Sequence, residues 1–578
     1  MKTLTVSSFR WLIAILTVST ILFSWQPAPS AHAATINVNS TADNLTAGDG
    51  SCTLREALRN ANGDSDSTAG DCTAGSGTDT ITFASSLDGS PITLTITGSG
   101  EDSGLTGDLD INKDIIITGN GADKTIIDAT AMSDRVFQIF GGTVIISDLT
   151  IQGGNRPGAH PVGSGGGIMN SADLTLNNVH ITGNIAEQRA GGIYNGFGGG
   201  SLTLNNSTVY ANSSGTSGAG IFSESTLVVN NSTVSGNISN DNGGGLFVFG
   251  GTTTLNYATV TSNTADADNT GGGNGGGITL FSSSQTLNIR SSIIANNSVG
   301  TSGVGADCNA ISGSITSLDY NLIGDTTNCS LSGGANDLTG SAGLGSLANN
   351  GGPTLTHALN STSQAIDHVP SGTNGCGSTY TADQRGVARP LDGDGDSTAA
   401  CDIGAVEAPA RICSVVDNAS YTLGDVTFAV PTGQEGDIEC FEATQFPTDH
   451  PNATTNLETG EYWVLNALNS GGTAASGYSL NLTIDGLTFT PDINDKLCRY
   501  TGSGWDCGYS SHTATSITRN SVTALSPWTA GNDAGPTALT LESFTASQTA
   551  LPLTLVALLI LSLSLFFFIS RQRVSAKE

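Results

Sequence analysis

Positive charge is what this chain most lacks. Only 19 of its 578 residues are Lys or Arg, against 50 Asp or Glu, and the formal net charge is −31. Nucleic-acid binding needs a basic stripe to neutralise phosphates, so no nucleic-acid partner is expected. Charged residues of both signs make up 12% of the chain, about half the roughly 25% of an ordinary globular domain. Structural zinc is also disfavoured, because the ten cysteines include no CxxC pair and no histidine cluster lies near them. Long apolar runs occur only at the two ends.

In place of charge the chain has glycine, 76 residues of it, and a phrase repeated five times between Gly165 and Asn296. Each copy is a glycine run closed by an aliphatic residue (Ile168, Ile193, Ile221, Leu246, Ile278), then a run such as "SLTLNNSTVYAN", then an asparagine. The closing asparagines are read as Asn184, Asn212, Asn237, Asn263 and Asn296, spaced 28, 25, 26 and 33 residues apart. A unit of this length cannot bury its own apolar face, so it must stack on copies of itself. It is too short for a four-stranded propeller blade of roughly 40 residues. Aliphatic residues alternate with Thr, Asn and Ser, which predicts short strands with one buried face. Stacked about 4.8 Å apart, Leu176, Leu204, Val229, Leu255 and Leu287 would form one internal column. The asparagines would form an amide ladder at a corner where Asn tolerates left-handed dihedrals. Thr, Ser and Asn pack across rungs without like-charge repulsion, which explains the missing Lys and Glu. The expected fold is all-β: a right-handed single-stranded parallel β-helix over residues 105–345.

The ends point outside the cell. Lys2 and Arg10 precede an apolar run, Trp11 to Phe23, and Ala31-His32-Ala33 offers a cleavage site, so residues 1–33 read as a signal peptide. Leu551 to Ile569 are uncharged and long enough to span a bilayer, with Arg571, Arg573 and Lys577 following on the expected cytoplasmic side as a basic tail, 570–578. No LPxTG and no Pro-Glu-Pro signal accompanies that run, so a permanent anchor and a processed tail both remain open. An even cysteine count in an exported chain reads as disulfides. The most local pairing is Cys52–Cys72, Cys308–Cys329, Cys376–Cys401, Cys413–Cys440 and Cys498–Cys507.

Before the repeats, residues 34–104 carry "SCTLREALRNANGD". Thr53 with Glu56 makes a capping box, and Leu54, Ala57, Leu58 and Ala61 make one apolar stripe ended by Gly63. A solenoid needs its open end covered, and a short amphipathic helix would serve. "CTLREAL" resembles the signature of the CSLREA domain, found at the start of exported bacterial β-helix proteins. Residues 346–407, with "LANNGGPTLTHALNSTSQAIDHVPSG", "DQRGVARP" and "CDIGAVE", look like the choice-of-anchor Q domain of bacterial surface proteins. Both resemblances imply a pectate-lyase-like β-helix. After the glycine repeat stops, residues 411–535 show longer alternating runs with Trp463, Trp505 and Trp528, and read as a small β-sandwich before a linker, 536–550.

That fold class also hosts polysaccharide lyases and hydrolases, but fold does not settle function. A lyase needs clustered carboxylates for Ca²⁺ and an Arg base; a hydrolase needs paired carboxylates across the bond. Within the repeats the acids Asp173, Glu187, Glu224, Asp241, Asp266 and Asp268 fall at different phases and should not stack. The hydrolase signatures GHG and RIK are absent, and "AIDH" at Ala365 to His368 lacks the Trp of the lyase motif it resembles. The histidines His160, His180, His357, His450 and His512 sit in unrelated contexts. No catalytic residue is assigned. Asp392, Asp394 and Asp396 alternate on a glycine loop like the start of a Ca²⁺ loop, although Ser397 stands where such loops require Gly. Calcium and a solvated turn are both open readings. Tyr194, Phe222 and Phe247, with Met169, occupy one phase of the repeat. Facing out they would form a ramp for stacking on sugar rings; facing in they would be a core stack, the commoner use of aromatics at repeat spacing. The function expected is a non-catalytic surface protein with a structural or adhesive role. A polysaccharide lyase or hydrolase and a non-catalytic glycan binder are the alternatives. Extracellular polysaccharide, other surface proteins and the membrane at the C-terminal helix are the expected partners.

Overall fold

The computed structural model describes residues 33–532, apart from 197, 455, 456 and 458. The signal segment, the 536–550 linker, the 551–569 span and the basic tail therefore lie outside the described residues. Among those described, no helix is long and apolar enough to cross a membrane.

The repeats form a right-handed parallel β-solenoid of about eight turns. One coil shows the plan. Ile168–Asn170 joins an eight-stranded sheet, Asp173–Asn177 an eleven-stranded sheet, His180–Thr182 a ten-stranded sheet, and Ile185–Ala186 a short six-stranded sheet. Neighbouring coils pair parallel, Leu174 on Leu202 on Leu227 and Leu176 on Leu204 on Val229 on Leu255. The column then continues to Ile289, not Leu287, because Leu287 is paired with Thr253 one pleat away. The inward side chains are fully buried, and each contributes roughly 1.5–3 kcal/mol.

The amide ladder is present and entirely buried. Asn212, Asn237 and Asn263 each accept the backbone and amide N–H of the Asn one coil before, at 2.9–3.1 Å, and Asn184 starts the run by accepting the Gly154 N–H. The fifth member is Asn297, not Asn296, because the ladder position is the second residue after the strand Ile293–Ala295, as Asn263 is after Thr259–Thr261. Asn296 instead takes the left-handed dihedral, as Gly183, Ala211, Gly236 and Ser262 do in the earlier coils. Corner and ladder are thus adjacent positions with separate duties. The glycine run is equally position-specific. At Gly218, with φ of 69°, a Cβ would lie 2.9 Å from Ile221 O and from Phe222 Cβ. At Gly220 it would lie 2.6 Å from Gly245 O in the next coil. No side chain fits either place.

At the N-terminal end, helix Leu54–Gly63 packs on the strands Thr35–Val38 and Asp79–Phe83, which are the first two rungs of the eleven-stranded sheet. The capping box forms: Thr53 Oγ1 accepts the Glu56 N–H and Glu56 Oε2 accepts the Thr53 N–H. Asp64, not Gly63, takes the left-handed cap position, φ 45°. Arg55 is buried with Glu56. Its guanidinium pairs with Asp43 at 2.6 Å and donates to the carbonyls of Gly104, Gly107 and Asp108, tying the helix to the first coils.

Residues 346–407 do more than close the solenoid: they run back along its flank over the ten-stranded sheet. Leu355 donates its N–H to His180 Nε2, and Thr208 Oγ1 donates to Leu355 O. Gln384 accepts from Thr233 and donates to Thr208 and Thr354. His357 bonds Ser235, and Ala405 N–H donates to Thr259. Beyond this belt, residues 410–532 form a sandwich-like pair of antiparallel sheets of six and five strands around Trp463, Trp528 and the stacked Phe428 and Phe441. All five disulfides join the pairs expected from local spacing.

Candidate functional site

The acidic turn does bring carboxylates together, with a different membership. Asp367, Asp392 and Asp394 place one oxygen each within 4.8 Å of one another. Asp396 is not in the group; its carboxylate accepts the Thr398 N–H. The turn closes on itself, with Asp392 accepting from Gly395 and Ser397 and Asp394 accepting from Asp396. Asp367 reaches across from the "AIDH" stretch, and its Oδ2 accepts the N–H groups of Gly393 and Asp394 at 2.8 and 2.7 Å. Its Oδ1 is buried with no hydrogen-bond partner. Sequence spacing could not join Asp367 to a loop 25 residues away; the one signal was an acid inside "AIDH".

Burial first, then the charges of Asp394 and Asp392, push the Asp367 carboxyl up to about 6, against the opposing pull of its two backbone N–H bonds. A carboxyl raised in this way contributes most to stability below its unfolded value of about 4 and loses that contribution as pH rises through 6. A hard dication with oxygen ligands would take the proton's place. If Ca²⁺ binds here, saturation at 100 times its dissociation constant adds about 2.7 kcal/mol. Thermal melts should then show a calcium-dependent rise of roughly 2–5 °C at pH 7 and a smaller one at pH 5. Asp367→Asn and Asp394→Ala should abolish it, and Asp396→Ala should leave it. Equal melts with calcium and with chelator would leave a solvated turn.

Tyr194, Phe222 and Phe247 correspond to neither arrangement expected of them. They do not join the internal core, where Ile193, Ile221 and Leu246 lie. They alternate to the outer face of the eight-stranded sheet and stack there, 5.1 and 5.0 Å between centroids and within 15° of parallel. They are nonetheless only 1%, 1% and 4% exposed, and the Arg189 guanidinium lies 4.7 Å above the Phe222 ring. Stacked on one another and this deeply buried, the three rings offer no open face for a sugar to stack on. Toward solvent the stack continues into the half-buried Phe249 and into Phe281, 41% exposed, and the exposed His160 ring lies 6.0 Å from Tyr194.

The residues of "DQRGVARP" and "CDIGAVE" build a buried ionic network under the belt. Arg389 pairs with Glu407 at 2.9 Å and donates to the carbonyls of Asp402 and Gly404, over the ring of Tyr257 at 4.5 Å. Arg385 pairs with Asp383, whose Oδ2 also accepts the Glu407 N–H. Burial drives Glu407 up to about 7 and Asp402 well above the carboxylate range, with mutual repulsion adding to the rise in Asp402. These side chains are at most 6% exposed, so their chemistry serves the fold.

Compared with known proteins, the chain matches no family model, no curated protein and no solved structure. Fold and contacts define the class: a parallel β-solenoid with a helical N-terminal cap, a flanking belt and a sandwich-like C-terminal unit. Its five disulfides fit an oxidising, extracellular compartment.

Proposed function

We propose that this chain is an exported protein held at the cell surface, with a structural or adhesive role and no catalysis of its own. The observation that carries the reading is the belt. It takes up Thr208, Thr233, Thr259, His180 and Ser235 from four successive rungs, so the outward face of those four rungs is spent on internal hydrogen bonds. The polar rungs, the amide ladder and the disulfides supply a rigid, soluble rod suited to standing clear of a cell. On this reading residues 34–104 are a CSLREA-like cap, residues 346–407 a choice-of-anchor-Q-like belt, and 551–569 the membrane anchor that leaves 570–578 inside. A polysaccharide lyase or hydrolase of the same fold is the competing reading; it requires product release from a glycan.

Placement is tested with few reagents because lysines are rare. Lys113 pairs with Asp64 at the surface, its side chain 39% exposed, whereas Lys577 belongs to the expected cytoplasmic tail. A membrane-impermeant amine reagent applied to intact cells should label Lys113 and spare Lys577 until the cells are opened. Labelling of both, or of neither, on intact cells would contradict the topology.

A further inference from the structure

A cleft of about 590 Å³ lies where three parts of the fold meet. One wall is the stacked corner turns of the early coils, with Asp123, Lys124, Asp148 and Asn178; the belt closes the middle, and the sandwich supplies Asp449 and Tyr462. The volume is that of a small-ligand site. Its polar lining is only partly spent. Asp148 Oδ1 accepts from Asn178 and Asp449 Oδ1 accepts from Gly460, but Asp123 and Lys124 are exposed and make no side-chain hydrogen bond or ion pair. Tyr462 is 5% exposed, its ring stacked on Phe446 at 4.7 Å, and its hydroxyl has no hydrogen-bond partner.

Three carboxylates face one ammonium here. The histidines of the cleft add no positive charge near neutrality, because burial lowers His180 to about 4 and also lowers His450. An aromatic hydroxyl, amide groups and an excess of carboxylates suit a hydroxyl-rich ligand that carries amines, and they repel a polyuronate. We infer that this cleft binds an amine-bearing oligosaccharide, held by Asp123, Asp148 and Asp449 with Tyr462 donating from the floor. The inference rests on the adhesive half of the function proposed above and names its ligand class.

Calorimetric titration of the full chain in detergent at pH 6, where sugar amines are protonated, provides the test. The probes are glucosamine tetramer, its N-acetylated counterpart and tetragalacturonate. The glucosamine tetramer should bind at least tenfold tighter than its acetylated counterpart, with tetragalacturonate weakest. Asp123→Asn with Asp449→Asn should weaken glucosamine binding at least tenfold. Lys124→Ala, at an exposed turn, should tighten it several-fold, a gain that misfolding cannot mimic. Equal affinity for the three tetramers, a preference for tetragalacturonate, or insensitivity to both sets of substitutions would overturn the cleft. Absence of binding by any tetramer would also overturn it, while the non-catalytic reading would stand or fall separately on product release.

Discussion

Replacing Asn237 by alanine should destabilise the solenoid by roughly 4 kcal/mol, a large effect for one polar side chain. The amide is fully buried and makes four bonds: it accepts from the Asn212 backbone and side chain and donates to Val209 O and Asn263 Oδ1. Truncation removes partners from groups in the coils on both sides, and each buried unsatisfied group costs about 1–3 kcal/mol. Asn230→Ala is the control. Asn230 is a half-buried member of a second ladder with the half-buried Asn205 and the buried Asn256; water can reach Asn230 and replace lost partners, so about 1 kcal/mol or less is expected. Chemical denaturation of the two variants reads the difference. Equal losses would mean that the fully buried ladder contributes no more than the half-buried position.

Arg389→Ala should cost about 3–5 kcal/mol, the penalty for leaving a buried partner charge uncompensated. Glu407 and Asp402 would remain in place without their guanidinium, beside Asp383. The loss should depend on pH with a defined sign. Glu407 already titrates near 7 because burial opposes its charge, and losing Arg389, which lowers that value, raises it further. A raised carboxyl stabilises most when protonated, so the variant should lose more at pH 8 than at pH 6. Adding Glu407→Gln to Arg389→Ala should recover part of the loss at pH 8. A pH-independent deficit would instead assign the effect of Arg389 to packing over Tyr257.

The solenoid was legible because its signal is periodic and local. A glycine run, a period-two strand and an asparagine recurring every 25 to 28 residues in the first four units leave little choice of architecture, and the disulfides follow from short separations. The misses occur where a unit offers two similar residues side by side. Of the neighbours Asn296 and Asn297 only the second lies at the ladder position, and of Leu287 and Ile289, two apart on one strand face, Ile289 is the one paired with Leu255. Contacts between distant segments were not legible at all. Nothing in the spacing joins Asp367 to Asp394, lays Gln384 on Thr208 and Thr233, or puts Asp449 opposite Asp123, because each depends on how the belt and the sandwich return to the coils. The aromatic phase was visible, but its burial on the outer face was not, because period-two alternation separates the two faces without saying what covers either.

The central claim, a surface scaffold without catalysis, is tested most directly by product release. The purified full chain, incubated with pectin, alginate and glycosaminoglycans with calcium and with chelator, should generate no new reducing ends and no unsaturated uronate absorbance above a buffer control. Accumulation of either product in proportion to protein concentration would contradict it and make the chain a polysaccharide-degrading enzyme.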